Sequence, residues 1–265
     1  MAPSSYVRDQ AEVERSASEA SKVVLAPIDV ERYLNPPPES PFPLEYAFHL
    51  LGDVRGKSVL DLGCGSGESV VILAHLGAKV LGIDISPDLI AIAEQRLREG
   101  RSGATVRVGS AYETGLEDAS VDIIFCMSLI HHLDIPHVKH EMHRILRPGG
   151  CIVLKEPIRF SRTYAILRSL LPAREDISDY EHPLTWEELH KFQEGFAVDG
   201  VRFFRLPFVP LLQRSLHAGR RAHQVSSWIL KHFPVTAHFA TVVALRLRKV
   251  SRTPAPESGR LAMEA

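Results

Sequence analysis

The middle of the chain alternates between short apolar runs and longer segments with helical periodicity. The intervening segments repeat apolar residues at helical spacing, and one of them begins with Ser86 and Pro87 as a helix cap and ends at Gly100. Strands and helices that alternate with short connections predict a parallel sheet covered on both faces, that is, an α/β fold. The apolar runs with strand character are residues 58–63, 79–84, 104–110, 121–128 and 151–157.

The alternation becomes less regular after residue 156. Residues 157–184 are long for a connection, which favours a lid or substrate loop over a plain crossover. Two late strands are predicted near 198–205 and 237–247, separated by an insert at 208–234 that mixes apolar and basic residues. A second lid, a dimer face and a membrane-surface helix are alternatives for this insert, and we favour one more helix packed on the sheet. Thr185, three positions before Glu188, predicts a capping box ahead of a helix.

These patterns predict one elaborated domain over residues 31–248, with lid or substrate insertions at 157–184 and 208–234. Residues 1–30 are predicted to form an N-terminal tail or a weak helix, and residues 249–265 a disordered tail. A chain of 265 residues is long enough to bury a substantial core in one such domain.

Composition and charge narrow the classes of function. The chain is 45% hydrophobic and 24% charged with a formal net charge of −1, so it has no global positive charge for binding nucleic acid. Three scattered cysteines are too few for a disulfide framework and predict reduced thiols. There is neither an apolar run of 18 residues nor an apolar N-terminal leader, so we expect a cytoplasmic protein without stable membrane insertion.

The stretch SVLDLGCGSGESV, residues 58–70, places three glycines in five positions directly after a predicted strand. Glycine permits positive φ and lacks the Cβ that would block a ligand, although a tight turn without a ligand is an alternative. The dinucleotide fingerprint G-x-G-x-x-G is absent. Counted from Gly63, its third glycine would be at position 68, which is Glu; counted from Gly65, it would be at position 70, which is Val. Glu68 at the start of the helix would also repel a pyrophosphate.

Two acidic residues accompany the glycines and favour a ligand with a cationic group. Asp61 precedes Gly63 by two positions, and Asp84 ends the next strand. Ligands of doubly wound sheets bind beyond the carboxyl ends of the strands, so both carboxylates are predicted at the binding edge. Asp84 is placed to accept from two ribose hydroxyls, and Asp61 to lie near an ammonium group.

The motif VLDLGCGSG, followed by GID and later by LRPGG, resembles the class I S-adenosylmethionine-dependent methyltransferases over roughly residues 55–160. The resemblance is strongest to the branch that methylates quinones, sterols and natural-product sugars. It implies a doubly wound, mostly parallel seven-stranded sheet with lid insertions, S-adenosyl-L-methionine as cofactor, and a small-molecule acceptor.

The same resemblance implies which residues contact the cofactor. Residues of the glycine turn line its methionine end, Ile85 packs on the adenine, and Ala111 donates its N–H to the adenine ring. Ser110 stands where the family commonly has Asp, so this contact is expected to be weaker. For the side chains of Cys126 and Met127 we favour plain core packing. The predicted cofactor-binding residues are Asp61, Gly63, Cys64, Gly65, Asp84, Ile85, Ser110, Ala111, Cys126 and Met127.

Candidates for a general base follow the fourth and fifth predicted strands. His131 and His132 come directly after the fourth strand, and a histidine can accept a proton near neutral pH. Glu156 ends the fifth strand and could bind an amine or act as a base. The alternative for the histidines is that one ring packs on a helix and the other only shapes the pocket.

Other titratable residues are weaker candidates. Tyr180 and His182, in the stretch YEHPLT, are candidates for substrate binding, with a capping turn as an equal alternative. The remaining histidines at helical spacing, His137, His140 and His143, are predicted to form a solvated helix face, so no metal site is expected.

The sequence therefore predicts methyl transfer to an oxygen or an activated carbon of a small molecule, with histidine as a candidate general base. A protein or nucleic-acid methyltransferase is the first alternative; the stretch CMSLIHH argues against the Asn/Asp-Pro-Pro-Tyr motif of amide and nucleobase enzymes. A non-methylating module that binds S-adenosylmethionine is the second. Any association between copies is expected through residues 208–234.

Overall fold

The computed structural model describes residues 5–100, 102–159, 182–212 and 216–250, which include a seven-stranded sheet. The sheet order is β3-β2-β1-β4-β5-β7-β6. The first five strands in this order pair in parallel, whereas β7 is antiparallel to both of its neighbours. The strands are β1 (Ser58–Leu62), β2 (Lys79–Asp84), β3 (Thr105–Val108), β4 (Val121–Met127), β5 (Leu146–Pro157), β6 (Phe196–Phe204) and β7 (Val242–Lys249).

Helices cover both faces of this sheet, so the predicted α/β, doubly wound and mostly parallel fold is confirmed. None of the described helices is long and apolar enough to cross a membrane. Short 3-10 segments occupy Ile130–His132 and Pro234–Phe239. The helices are α1 (Ser5–Ala20), α2 (Glu31–Leu34), α3 (Pro43–Leu51), α4 (Glu68–His75), α5 (Pro87–Glu99), α6 (Ile135–Ile145), α7 (Trp186–Gln193), α8 (Val209–Leu212) and α9 (Leu216–His232).

The predicted helix caps are present. Ser86 accepts a hydrogen bond from the Leu89 N–H, with Pro87 at the first helical position of α5. Thr185 and Glu188 form a reciprocal capping box at the start of α7. These local bonds satisfy backbone N–H groups that a helix leaves without partners, which is why the sequence alone locates both helix starts.

The core is divided by the sheet into two apolar layers. Helices α3, α4 and α5 bury residues such as Phe48, Val70 and Ile90 against one face. Helices α6 and α7 bury Met142 and Phe192 against the other. Alternate residues of the central strands point to opposite faces, so β4 contributes to both layers and its end lies between them.

Near the N-terminus the structure has the helix that was one of the two predicted alternatives, and near the C-terminus it differs from the sequence prediction. Residues 5–20 form the helix α1, which packs on α5. The last strand starts at Val242, later than predicted, because residues before it form the second 3-10 segment. Within the 208–234 insert, α9 packs against the sheet edge, where Ser226 Oγ accepts from the Leu206 N–H at 2.9 Å.

Candidate active site

The glycine turn joins β1 to α4 through left-handed backbone. Gly63, Gly65 and Gly67 have φ values of 74°, 50° and 81°. A Cβ at Gly63 would lie 2.9 Å from a Leu129 methyl carbon, and one at Gly67 would lie 2.8 Å from the Ala93 Cβ. A Cβ at Gly65 would meet no atom within 4 Å. Two glycines thus permit close packing, whereas Gly65 leaves its backbone facing open space.

Asp84 connects the glycine turn to the end of β2. Its Oδ2 accepts from the Gly65 N–H and its Oδ1 from the Ser86 N–H, both at 2.9 Å. Burial raises the pKa of this carboxyl, although the two backbone hydrogen bonds act in the opposite direction. Each carboxylate oxygen has a further lone pair, so Asp84 can hold the turn and still accept hydroxyl hydrogen bonds from a ligand.

Asp61 lies beneath the turn and is 1% exposed. Its Oδ2 has no hydrogen-bond partner among the described residues. Burial, with a smaller contribution from the charge of Asp84, raises the pKa of Asp61 to about 8. A buried carboxyl oxygen without a partner is unfavourable, so the site suits a ligand that brings a cationic or donor group to it.

These elements border a cavity of about 370 Å³, within the size range of small-molecule sites. Its walls are the glycine turn, the end of β2, the segment after β4 and helix α1. Because Gly65 leaves room and Asp61 Oδ2 has no partner in the described part of the chain, the residues present fit a nucleoside with an ammonium group. The predicted residues on the cavity wall are Gly63, Cys64, Gly65, Asp84, Ile85, Ala111, Met127 and His132.

The other predicted cofactor residues within the described chain lie behind the wall. Asp61 is below the turn, and Gly109 and Ala111 line the cavity on either side of Ser110. Cys126 is completely buried in the core layer next to α6, because its side chain points to the opposite face from that of Met127.

His131 and Glu156 form a buried pair behind the cavity. Glu156 Oε1 accepts from the Leu129 and Ile130 N–H groups, each at 2.9 Å. Its Oε2 lies 2.8 Å from His131 Nδ1. Both carboxylate oxygens are therefore engaged in fixing the 3-10 segment after β4 onto β5, and neither residue lines the cavity.

We expect Glu156→Gln to destabilise the fold by about 1–3 kcal/mol. The amide has only one acceptor oxygen, so it cannot replace both the oxygen that accepts from the two backbone N–H groups and the oxygen that contacts His131. Urea unfolding followed by circular dichroism measures the effect. Glu187→Gln, an exposed change on α7, is the matched control. Unchanged stability of Glu156→Gln would contradict the anchoring role.

His132 is the histidine on the cavity wall, and it faces a carboxylate of α1. Its Nδ1 lies 3.4 Å from Glu12 Oε2, and Arg15 pairs with the other oxygen of Glu12 at 2.7 Å. Burial acts to raise the pKa of Glu12, but neighbouring His132 and Arg15 together lower it to about 2. Glu12 is therefore ionised at neutral pH beside the ring of His132.

The contribution of α1 is the part of the site that sequence reasoning missed. A tail and a weak helix are the alternatives that the sequence predicts for this segment, and neither is assigned to the site, yet the spacing of three and four positions places Glu12, Ser16 and Glu19 on one helical face. That periodicity is the signal that could have identified them. The α1 segment and the residues that follow it contribute Glu12, Arg15, Ser16, Glu19 and Val23 to the cavity wall.

The two substrate candidates from the stretch YEHPLT have different outcomes. His182 Nε2 lies 2.8 Å from Glu188 Oε1 at the start of α7, away from the cavity wall. Tyr180 lies outside the described residues.

A family model and two sequence relatives that match this chain are all described as methyltransferases. A profile for the methyltransferase domain matches residues 60–154. The ubiquinone biosynthesis O-methyltransferase of Cupriavidus pinatubonensis is 29% identical over 174 residues, 62% of this chain and 68% of that protein. The enzyme of the same name from Methylococcus capsulatus is 34% identical over 117 residues, 43% of this chain and 48% of that protein. The chain thus matches about two thirds of the first relative and about half of the second.

Solved structures agree on the fold. The geranyl diphosphate C-methyltransferase of Streptomyces coelicolor, solved with S-adenosyl-L-homocysteine, has a TM-score of 0.63 at 16% identity. That match covers 94% of this chain and 100% of the other. A geranyl diphosphate methyltransferase solved with sinefungin has a TM-score of 0.56 at 19% identity, covering 77% and 76%. The matched domain, the fold and the cavity lead to one conclusion: residues 60–154 are a methyltransferase domain, in a chain that has the fold of the S-adenosylmethionine-dependent methyltransferases.

Proposed function

We propose that the protein transfers a methyl group to an oxygen or activated carbon of a small molecule, with His132 as the general base. The position of His132 on the cavity wall, beside the ionised Glu12, carries this proposal. The names of the sequence relatives support oxygen as acceptor, whereas the geranyl diphosphate C-methyltransferase supports carbon.

The residues of the chain have separate tasks in the proposed reaction. When bound, S-adenosylmethionine supplies an electrophilic methyl group attached to a sulfonium sulfur. Asp84 accepts from the ribose hydroxyls, and Asp61 lies towards the ammonium group. Alignment of donor and acceptor provides a large part of the acceleration in such displacements.

His132 removes the proton that the acceptor loses when the new bond forms. The Glu12 carboxylate lies 3.4 Å from His132 Nδ1, where it is placed to orient the ring for this step. In this proposal His131 and Glu156 hold the segment that carries His132, and they do not touch the acceptor.

Transfer of radiolabel from S-adenosylmethionine to a cell extract tests this function. We expect label in small extractable products. Label retained on protein or nucleic acid would favour a macromolecular methyltransferase, and cofactor binding without any transfer would favour a non-methylating module. Either of these results would overturn the proposal.

The raised pKa of Asp61 gives the cofactor site a pH dependence. Near pH 6 the carboxyl is protonated and neutral, and it ionises as the pH rises to about 8. Because an ammonium group attracts only the ionised form, affinity for S-adenosylhomocysteine is expected to increase between pH 6 and 8. The increase is at most tenfold per pH unit if one proton is released.

Calorimetry in buffers of different ionisation enthalpy measures both affinity and released protons. Asp61→Asn, which cannot ionise, is expected to bind more weakly with no such dependence. A wild-type affinity that stays constant from pH 6 to 8 would argue against Asp61 as the partner of the ammonium group.

The proposal also covers the class of acceptor, the cellular compartment and association between copies. The acceptor is a small molecule and not nucleic acid, in line with the net charge of −1. The three cysteines are buried free thiols, which supports a reducing, cytoplasmic compartment. Association between copies, if the protein forms oligomers, uses residues 208–234.

A further inference from the structure

Two cationic side chains lie at the same edge of the sheet as the cofactor cavity, on the far side of β4 from the glycine turn. Lys155 on β5 pairs with Met127 of β4 and with Ala244 of β7. Arg205 directly follows β6, whose last residue pairs with Val242 at the beginning of β7. Since β7 is antiparallel to both neighbours, the end of β5 and the end of β6 meet at this edge.

Lys155 is connected to the cavity through Ser128. The Lys155 ammonium donates to Ser128 Oγ at 2.6 Å, and Ser128 is part of the cavity wall. The adjacent Glu156 points to the opposite face, where the 3-10 segment occupies both of its oxygens. Within the described ranges Lys155 forms no ion pair. Burial lowers its pKa; the charge of Glu156 raises it, and that of Arg205 lowers it again.

Among the residues that the structure describes, Arg205 likewise forms no ion pair. Its Nε is buried and has no hydrogen-bond partner in the described part of the chain. Burial lowers the pKa of its guanidinium group. The backbone around it is firmly held, because the Arg205 carbonyl accepts from both the N–H and the hydroxyl of Thr241.

Backbone strain occurs at Arg205 and at Ser128, the hydrogen-bond partner of Lys155. Ser128 has a φ of 61° and Arg205 a φ of 59°, and Ala119 is the third non-glycine residue with positive φ in the described part of the chain. The left-handed region is unfavourable for residues with a Cβ, and such strain concentrates at binding and catalytic sites.

The edge of the sheet is therefore divided by charge. Asp61, Asp84, Glu12 and Glu19 lie on the cofactor side, where Arg15 pairs with Glu12, whereas Lys155 and Arg205 lie on the other side. Buried charges are unfavourable unless they are paired, and two neighbouring cations repel each other. An anion between them would satisfy both groups.

We propose that the methyl acceptor carries an oxyanion, a carboxylate or a phosphate group, that Lys155 and Arg205 bind next to Ser128. This inference rests on the proposed function for the identity of the ligand as the acceptor. The oxyanion site itself is defined by the two side chains. It places the anionic end of the acceptor on β5 and β6, while the reacting atom extends past Ser128 towards His132.

Calorimetric titration with two probe anions tests the site. Sodium benzoate and inorganic phosphate are titrated separately into the full chain at constant ionic strength set with chloride, with and without S-adenosylhomocysteine. We expect at least one anion to bind, and Lys155→Met and Arg205→Met each to weaken it at least tenfold. The stronger of the two probes identifies the class of oxyanion. Lys79→Met, which removes an exposed cation at the opposite end of the sheet, is expected to bind like wild type.

Thermal unfolding provides a readout that a purely structural role would not give. Without anions, Lys155→Met and Arg205→Met are expected to melt at a higher temperature than wild type, because each removes one of two repelling cations. The bound anion is expected to raise the melting temperature of wild type and Lys79→Met, and not of the two variants.

Two results would overturn the oxyanion site: no binding of either anion to wild type, as when a carboxylate of the chain already occupies the pair, or equal binding by all variants. S-adenosylhomocysteine binding without anion binding would overturn this inference and leave the proposed function intact. Anion binding that depends on Lys155 and Arg205 without nucleoside binding would support the site and contradict the proposed function.

Discussion

Replacing His132 with alanine is expected to lower the rate of methyl transfer by about 10²- to 10⁴-fold, the usual contribution of a general base. The affinity for S-adenosylhomocysteine should change little, because we propose that other residues of the cavity wall, the glycine turn and Asp84, hold the cofactor. Label transfer from S-adenosylmethionine measures the rate, and calorimetry measures the affinity.

Two further variants make this result specific. His137→Ala removes an exposed imidazole from α6 and is expected to retain full activity. Glu12→Gln removes the charge beside His132, so we expect a loss of rate that is smaller than that of His132→Ala. Wild-type turnover in His132→Ala would place the base elsewhere, and a parallel loss of affinity would assign His132 to cofactor binding instead.

Asp84→Ala is expected to have the largest effect on cofactor affinity. The change removes the two backbone hydrogen bonds that position Gly65 and Ser86, and with them the proposed acceptors for the ribose hydroxyls. Hydrogen bonds to a charged acceptor contribute about 1.5–3 kcal/mol, which corresponds to roughly 10- to 150-fold weaker binding of S-adenosylhomocysteine.

Calorimetry with Asp88→Ala as the control separates this effect from a general loss of negative charge near α5. Asp88 is exposed in the first turn of that helix, and its removal should leave the affinity unchanged. If Asp84→Ala bound the nucleoside as well as wild type, the ribose would lie elsewhere in the cavity.

The fold was predictable because its signals are local. The Ser86–Pro87 cap, the Thr185–Glu188 capping box and the apolar runs each depend on a few neighbouring residues, and the structure contains the elements they predict. The turn at Gly63–Gly67 was likewise predictable from the sequence, because three closely spaced glycines readily adopt the positive φ values that the structure shows.

Which residue of the site has which role depends on contacts between distant parts of the chain, and the sequence does not reveal these contacts. His131 and His132 are neighbours in sequence, yet one ring pairs with Glu156 behind the cavity and the other meets Glu12 on its wall. The partner of His132 is 120 positions away, on a helix whose polar composition resembles a tail. Lys155 and Arg205 are brought together only by the antiparallel pairing of β7.

Helix α1 has a consequence for the residence time of the spent nucleoside. The other walls of the cavity are tied to the sheet, whereas α1 packs on α5 and contacts His132 through Glu12, and it is not paired with any strand. Product exchange through this wall would make turnover sensitive to α1 itself. Substitutions on the outward side of that helix, remote from every reacting atom, would then alter the rate at which the product nucleoside dissociates.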